Sequence, residues 1–407
     1  MSLVHHRSLP RALLLSAESP HTSAAGAIVL HRLFGKFPKS KLLVVTNHLP
    51  PAGAATLDCR YEHLPLAADR LSRTRFWEWR PLLRTLGASA LVKLERVDAL
   101  LGGFTPEVVV TLMQDSWFYD LAARYAFARN LPLVLLAHDL AHGFEPVAPR
   151  WQARQLVRDR RVARQAFARL CISEPMSEFF QREFGVPSET LLPPRSEEPV
   201  AQQPEKCAEL KTARRLTLGY AGGLHYGYGE QLLRMIPVLR ATGARVEMWG
   251  PRPAGAVCAL LDATDVFTFH GYAPSPEGAW RGMLECCDAV LQPYLNPAGK
   301  FEQQYRTHFP SKLGDALALG LPLLITGPDF ASGLRWCLSR GDIAATVTDP
   351  RPEALRATLE TLRDSPARRL ELATQAQAAA PAFDPVPLRA RLAAVLENAA
   401  HLSADHV

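Results

Sequence analysis

Two stretches of this chain bring together residue types suited to gripping an anion. Residues 220–230 read YAGGLHYGYGE, with four glycines between an apolar run and a helical pattern. Glycine lets backbone N–H groups come close to an anion, and a helix N-terminus favours negative charge. The spacing fits neither the dinucleotide fingerprint nor a Walker loop. The expectation at Gly222 and Gly223 is a diphosphate cradle, with a flexible turn as the plain alternative. Residues 305–322 read YRTHFPSKLGDALALGLP. Pro310 marks a helix start there, Ser311 is placed to cap it, and Lys312 opens the first turn. A lysine at that position opposes the helix dipole, a mild cost that an intervening anion removes. Arg306 offers a second cation. Asp315 follows one turn on, and a carboxylate can accept two hydroxyl hydrogen bonds from a ribose.

Histidines supply the remaining candidates. His138 ends the apolar run 133–137; a histidine there is either a contact for a substrate or a hydrogen-bonded structural residue. His142, four residues on, would pair with it on a helix, but Gly143 and the lack of a third ligand argue against a metal. His225, His270 and His308 read as locally hydrogen-bonded. Asp115 and Glu145 lie near strand ends and are the carboxylates to check for an inverting base.

These side chains need elements to hold them, and the chain alternates short apolar runs with longer helical patterns. Strands are expected at 12–16, 41–46, 107–112, 133–137 and 170–173, with helices near 24–36, 117–129 and 150–168. Continuous apolar runs suit strands buried on both faces, and this rhythm is that of a doubly wound parallel sheet. The rhythm breaks at PPRSEEP, residues 193–199, and the polar stretch to 214 reads as a linker. A second series follows. Its strands are expected at 216–220, 245–249, 266–270, 289–293, 323–326 and 343–348. Helices are expected at 231–241, 255–262, 277–286, 312–319 and 330–340. A last helix, 387–400, follows a proline-rich break and could pack back on the first domain. The expected division is 1–198, a linker 199–214, a second Rossmann-like domain 215–385, and a C-terminal helix and tail 386–407. Ligands of such sheets bind beyond the carboxyl ends of the strands, where both anion-gripping stretches fall.

Composition removes several classes. The 407 residues are 48% hydrophobic and 21% charged, ordinary for a folded soluble protein. No apolar run approaches the ~18 residues of a membrane span. The seven cysteines are scattered without a Cys-x-x-Cys, which argues against a disulfide framework or a zinc ribbon. A reducing, cytoplasmic location is expected. Net charge is +6, all of it in residues 1–200, where 25 Lys/Arg stand against 19 Asp/Glu. Either a negative partner or compositional drift accounts for that bias.

Residues 315–322, DALALGLP, resemble the Glu-Ala-x-Ala-x-Gly-x-Pro stretch of family-4 retaining glycosyltransferases (glycosyltransferases group 1). Phe309-Pro310-Ser311-Lys312 resembles the variant in which Pro-Ser-Lys precedes it. The Gly222-Gly223-Leu224 loop looks like that family's phosphate loop. Trp249-Gly250, His270-Gly271-Tyr272 and 289–293 fall in the family's order, as do Ala137-His138-Asp139, Cys171-Ile172-Ser173-Glu174 and the loop at Gly26. The resemblance spans about residues 11–345. It implies a GT-B fold, two Rossmann-like domains facing each other across the active site, with a nucleotide-sugar held by the second. On it, Asp315 would take the ribose. Gly222, Gly223, Ser311 and Lys312 would surround the diphosphate, and Gly250 would also bind the donor. Backbone near Tyr272 would read the base, and His138 would touch the transferring sugar. It further implies a retaining transfer without metal or other cofactor.

Where the family carries a loop Arg and Lys, this chain has Gly223 and Tyr228, and the first Glu of the Glu-x7-Glu pair is Thr307. Arg306 and Lys312 would then have to compensate the leaving diphosphate. A non-catalytic nucleotide-sugar binder and a sugar-nucleotide epimerase are the rival expectations.

Residues 150–169 hold seven arginines and one acid, and residues 70–96 hold seven Lys/Arg beside Phe76, Trp77 and Trp79. Arg150, Arg154, Arg158 and Arg161 share a helix face. Such stretches suit either a solvated face with core aromatics or an anionic lipid surface, the latter fitting a sugar or lipid-linked acceptor and a peripheral place on the inner face of the membrane. Nucleic acid is not expected, for want of a binding motif.

Overall fold

The computed structural model describes residues 9–23, 25–65, 92–113, 116–140, 149–212, 215–273 and 275–404. The aromatic-basic stretch up to residue 91, Asp115, His142, Gly143 and Glu145 lie outside the described residues. The chain divides into two compact units, residues 1–194 with 385–407, and residues 195–384.

The first unit is built on a parallel sheet whose strands are the apolar runs of the sequence. They are β1 (Ala12–Leu15), β2 (Leu42–Thr46), β3 (Arg60–His63), β4 (Val108–Met113), β5 (Leu133–Ala137), β6 (Ala168–Cys171) and β7 (Glu189–Thr190). Their order is β3-β2-β1-β4-β5-β6-β7. Every residue of β1, β2, β4 and β5 is buried, as helices on both faces require. β3 and β7 were not anticipated. They are the two edges of the sheet; β3 reads RYEH and is partly exposed, so it has no apolar run to betray it. The C-terminal helix Pro385–Ala404 belongs to this unit, as expected. Its Leu388, Leu392 and Leu396 enter the core beside Leu30 and Leu33 of the helix Ala25–Phe34. Each such leucine removed from water contributes about 2 kcal/mol.

The second unit repeats the plan with β8 (Thr217–Ala221), β9 (Arg245–Trp249), β10 (Phe267–Gly271), β11 (Ala289–Pro293), β12 (Leu323–Thr326) and β13 (Ala345–Val347). The order is β10-β9-β8-β11-β12-β13, all pairs parallel. Chain direction along the sheet reverses between β8 and β11, which is where such sheets open a crevice for ligands. Residues 255–261 form a 3-10 helix. Two helices that the sequence reading left out, Pro352–Asp364 and Pro366–Ala379, pack Leu355, Leu359, Leu362 and Leu372 into the core.

The segment expected as a linker is instead part of the second unit. Gln202 N–H donates to Leu319 O at 3.0 Å, and Lys211 N–H to the buried Asp288 carboxylate at 2.7 Å. Arg369, only 2% exposed, fastens it further. Its guanidinium donates to the carbonyls of Cys207 and Ala208 in the segment and of Leu362 and Arg363 in the helix region. Arg369→Met would strand four carbonyls without their donor. The expected cost is about 3 kcal/mol, read as a lower denaturant midpoint. A midpoint within 0.5 kcal/mol (roughly the scatter of surface substitutions) would assign the segment no role in stability.

Among the described residues no helix is long and apolar enough to cross a membrane.

Candidate functional site

The turn after β8 and the segment before residue 313 meet. Gly222 follows β8 with φ +134°, a conformation side chains rarely adopt, and a β-carbon there would overlap the ammonium of Lys312. The absent side chain is thus the room into which Lys312 reaches. Its Nζ donates to Ala221 O and lies 5.0 Å from the centre of the Tyr220 ring, over its face. Among the described residues no carboxylate lies within ion-pair distance of it. Burial without such a partner lowers its pKa from 10.5 to about 8.

Gly222 itself donates its N–H to Trp249 O at 2.7 Å, extending the β8–β9 ladder. The Gly222 N–H is thus committed to the sheet. Beyond it the chain climbs through Tyr226, a non-glycine residue at φ 59°, to Gly227 at φ 79° and into the helix Tyr228–Thr242. Two buried phenols hold this turn. Tyr220 donates to Gly223 O at 2.5 Å. Tyr305 accepts from Leu295 N–H at 3.0 Å and donates to Tyr226 O. Tyr305 joins the turn after β8 to the loop after β11, the two sides of the reversal point. Burial raises the pKa of both phenols, so both stay protonated donors. Tyr220 and Tyr305 stand inside the two stretches singled out from the sequence, yet nothing in their spacing announces the carbonyls they hold.

The helix beyond Lys312 spans Leu313–Ala318, with Lys312 at the N-cap and no side-chain cap. The expected start at Pro310 with Ser311 as cap is corrected by that: Ser311 lies in the preceding turn, half-buried, because Leu313 N–H donates to Pro310 O at 3.0 Å. Asp315 is 5% exposed, and one carboxylate oxygen accepts Ser196 N–H at 2.8 Å. Ser196 Oγ reaches Glu277 at 3.5 Å. The carboxylate expected at a ribose thus already anchors the segment by which the chain enters the unit. Arg306, in the helix Glu302–Thr307, pairs with Glu302 at 2.8 Å and lies over the Phe330 ring at 4.1 Å. Thr307 is buried and donates to Gln303 O at 3.2 Å, an ordinary helical back-bond. His308 sits 5.9 Å from the Tyr226 ring.

Gly250 follows β9 and packs its Cα against the backbone of Gly222. Tyr272 follows β10 with 73% exposure. Below it His270 stacks on Trp249 at 4.5 Å and meets Glu247 at 2.7 Å. In the first unit, His138 follows β5 and is buried, while Gly26 lies in the first turn of the helix Ala25–Phe34, after β1.

Among the arginines of 150–169, Arg158, Arg160 and Arg169 are half-buried, while Arg154, Arg161 and Arg164 are exposed. Arg161 pairs with the buried Asp120, and Arg158 stands 4.0 Å from it. Arg160, Arg164 and Arg169 donate to the carbonyls of Glu183, Phe184 and Pro187. These five thus spend donors on groups of the first unit itself.

No protein-family profile matches this chain, and no curated protein matches it in sequence. Solved structures do match. HepE of Anabaena, in complex with UDP and glucose, aligns with TM-score 0.67 and 15% identity over 95% of this chain and 99% of its own. WaaG, a glycosyltransferase involved in lipopolysaccharide biosynthesis, aligns with TM-score 0.57 and 15% identity over 95% and 99%. UDP-N-acetylglucosamine 2-epimerase of Rickettsia bellii aligns with TM-score 0.52 and 13% identity over 95% and 97%. Together with the two parallel sheets of seven and six strands, these matches define the α/β fold of the GT-B class.

Proposed function

We propose that this protein is a glycosyltransferase that takes its sugar from a nucleoside-diphosphate donor, with the donor's diphosphate at the turn after β8. The observation that carries this reading is Lys312: an ammonium enclosed beside Gly222, without a carboxylate partner among the described residues, at the reversal point of the sheet. Such a group stabilises charge as it develops on a leaving diphosphate. HepE in complex with UDP and glucose supports the choice of UDP as the first probe.

Transfer is read as retaining and metal-independent, with Lys312 supplying the compensating charge and Arg306 a weaker share, since Glu302 already balances it. Gly223, Ser311 and backbone near Tyr272 are assigned to the donor, Asp315 to its ribose, and His138 to the transferred sugar. The acceptor, a sugar or a lipid-linked sugar, falls to the first unit. The epimerase of Rickettsia bellii favours a second reading, in which a UDP-sugar is converted with no acceptor present. Incubation of UDP-glucose and UDP-N-acetylglucosamine with the protein alone separates the two: slow release of UDP supports transfer, and an epimeric UDP-sugar supports epimerisation.

Binding should be linked to pH. Bound diphosphate holds the Lys312 proton, whereas the free protein loses it at about pH 8. Affinity is then fully present below that pH and falls above it, towards tenfold per unit. Calorimetric titration with UDP between pH 7 and 9 checks the slope. Affinity that is flat across this range would take Lys312 out of the site.

A further inference from the structure

We propose that Tyr220 and Tyr305 are positioning residues that aim the backbone donors of the 222–227 turn at the diphosphate. The inference deepens the donor reading above and rests on it. In a trans peptide the C=O and the following N–H point in opposite directions. Tyr220 holds Gly223 O at 2.5 Å, so Leu224 N–H points away from that phenol. Tyr305 holds Tyr226 O, so Gly227 N–H points away from that one. Both phenols are buried at 1% exposure or less, so both carbonyls are drawn towards the interior. Neither N–H is engaged by another group among the described residues. Two donors released in this way, next to the N-terminus of the 15-residue helix Tyr228–Thr242, form a nest for an anion.

Further observations point the same way. Tyr226 sits at φ 59°, where a side chain is strained, and its carbonyl is the one Tyr305 clamps. Strain of this kind persists only where the surroundings over-determine it. The Tyr305 hydroxyl is itself fixed, since it accepts Leu295 N–H from the loop after β11. Tyr220 acts twice: its hydroxyl sets the peptide plane and its ring face carries the Lys312 ammonium. The Lys312 ammonium and the Leu224 N–H are therefore both set by one side chain.

Tyr220→Phe and Tyr305→Phe test this, because each keeps the ring and deletes the hydroxyl. UDP and uridine are titrated against the wild type and both variants, and thermal unfolding is recorded. The expected result is a UDP dissociation constant raised about tenfold in each variant, with uridine affinity unchanged. A merely structural role would lower the unfolding temperature and weaken both ligands alike, leaving their ratio where it was. An unchanged UDP-to-uridine ratio in either folded variant overturns the assignment for that tyrosine. If Tyr305→Phe does not fold, for loss of the Leu295 acceptor, Tyr220→Phe alone decides, since its hydroxyl has no second partner among the described residues to lose. A wild-type protein that binds UDP no better than uridine overturns the donor reading itself, a result distinct from wild-type preference retained by the variants.

Discussion

Lys312→Met is expected to bind UDP about 100-fold more weakly than the wild type, and to fold more stably. The first effect is the loss of the enclosed charge facing the diphosphate, where removing one partner of a desolvated pair costs several kcal/mol. The second follows from what the ammonium contacts in the free protein: the Ala221 carbonyl and the Tyr220 ring, and no carboxylate among the described residues. Burial alone lowers its pKa to about 8. In the folded chain the group thus binds its proton less tightly than the 10.5 of the unfolded one. Between these two values the unfolded state holds more protons, so stability rises with pH there, and the folded state carries the full penalty below about 8. Methionine fills the same channel with no charge to desolvate, and a gain of about 1 kcal/mol is expected. Denaturant unfolding from pH 7 to 10 should show the rise in the wild type and a flatter profile in the variant. A variant that is less stable yet keeps its UDP affinity would make Lys312 a structural residue and sink the assignment.

Gly250→Ala should destabilise the protein by about 3 kcal/mol and weaken UDP binding with it. Gly250 has φ +153°, and an added β-carbon would overlap the carbonyl oxygen of Gly222. Neither backbone can withdraw cheaply. Gly222 N–H is bonded to Trp249 O at 2.7 Å, and Gly250 N–H to Gly271 O at 2.9 Å. Relief must come from displacing the turn that faces Lys312. Gly255→Ala is the control, because its φ of +59° is also left-handed but open space surrounds it. Only conformational strain of about 1 kcal/mol is expected there. Equal losses in the two variants would show that strain, and not the contact with Gly222, governs Gly250.

The regular part of the fold was legible because burial on both faces demands a local signature. β5 and β11 coincide with apolar runs read from sequence, and β12 does so across a Gly-x-Pro turn. The edge strands β3 and β7 escaped, since an edge does not need continuous apolar residues. The stretch 199–214 looked like a linker for the same reason in reverse. Its backbone groups at Lys211, Cys207 and Ala208 are satisfied by distant partners, Asp288 and Arg369, which composition cannot reveal.

Sequence by itself determined that this chain builds two doubly wound sheets, that a glycine turn follows the first strand of the second sheet, and that a Pro-Ser-Lys segment lies some ninety residues beyond it. Tertiary structure alone decided what those residues do to one another. It placed the Lys312 ammonium in the space left by Gly222, set Gly250 against the same backbone, committed one oxygen of Asp315 to Ser196, and paired Arg306 with Glu302. It also delivered the Tyr305 hydroxyl to the Tyr226 carbonyl across 79 residues of chain. The reason is physical. Strands and helices follow from side chains repeating along a few neighbouring residues. A hydrogen-bond partner or a gap for an ammonium, in contrast, exists only once segments far apart in the chain have packed.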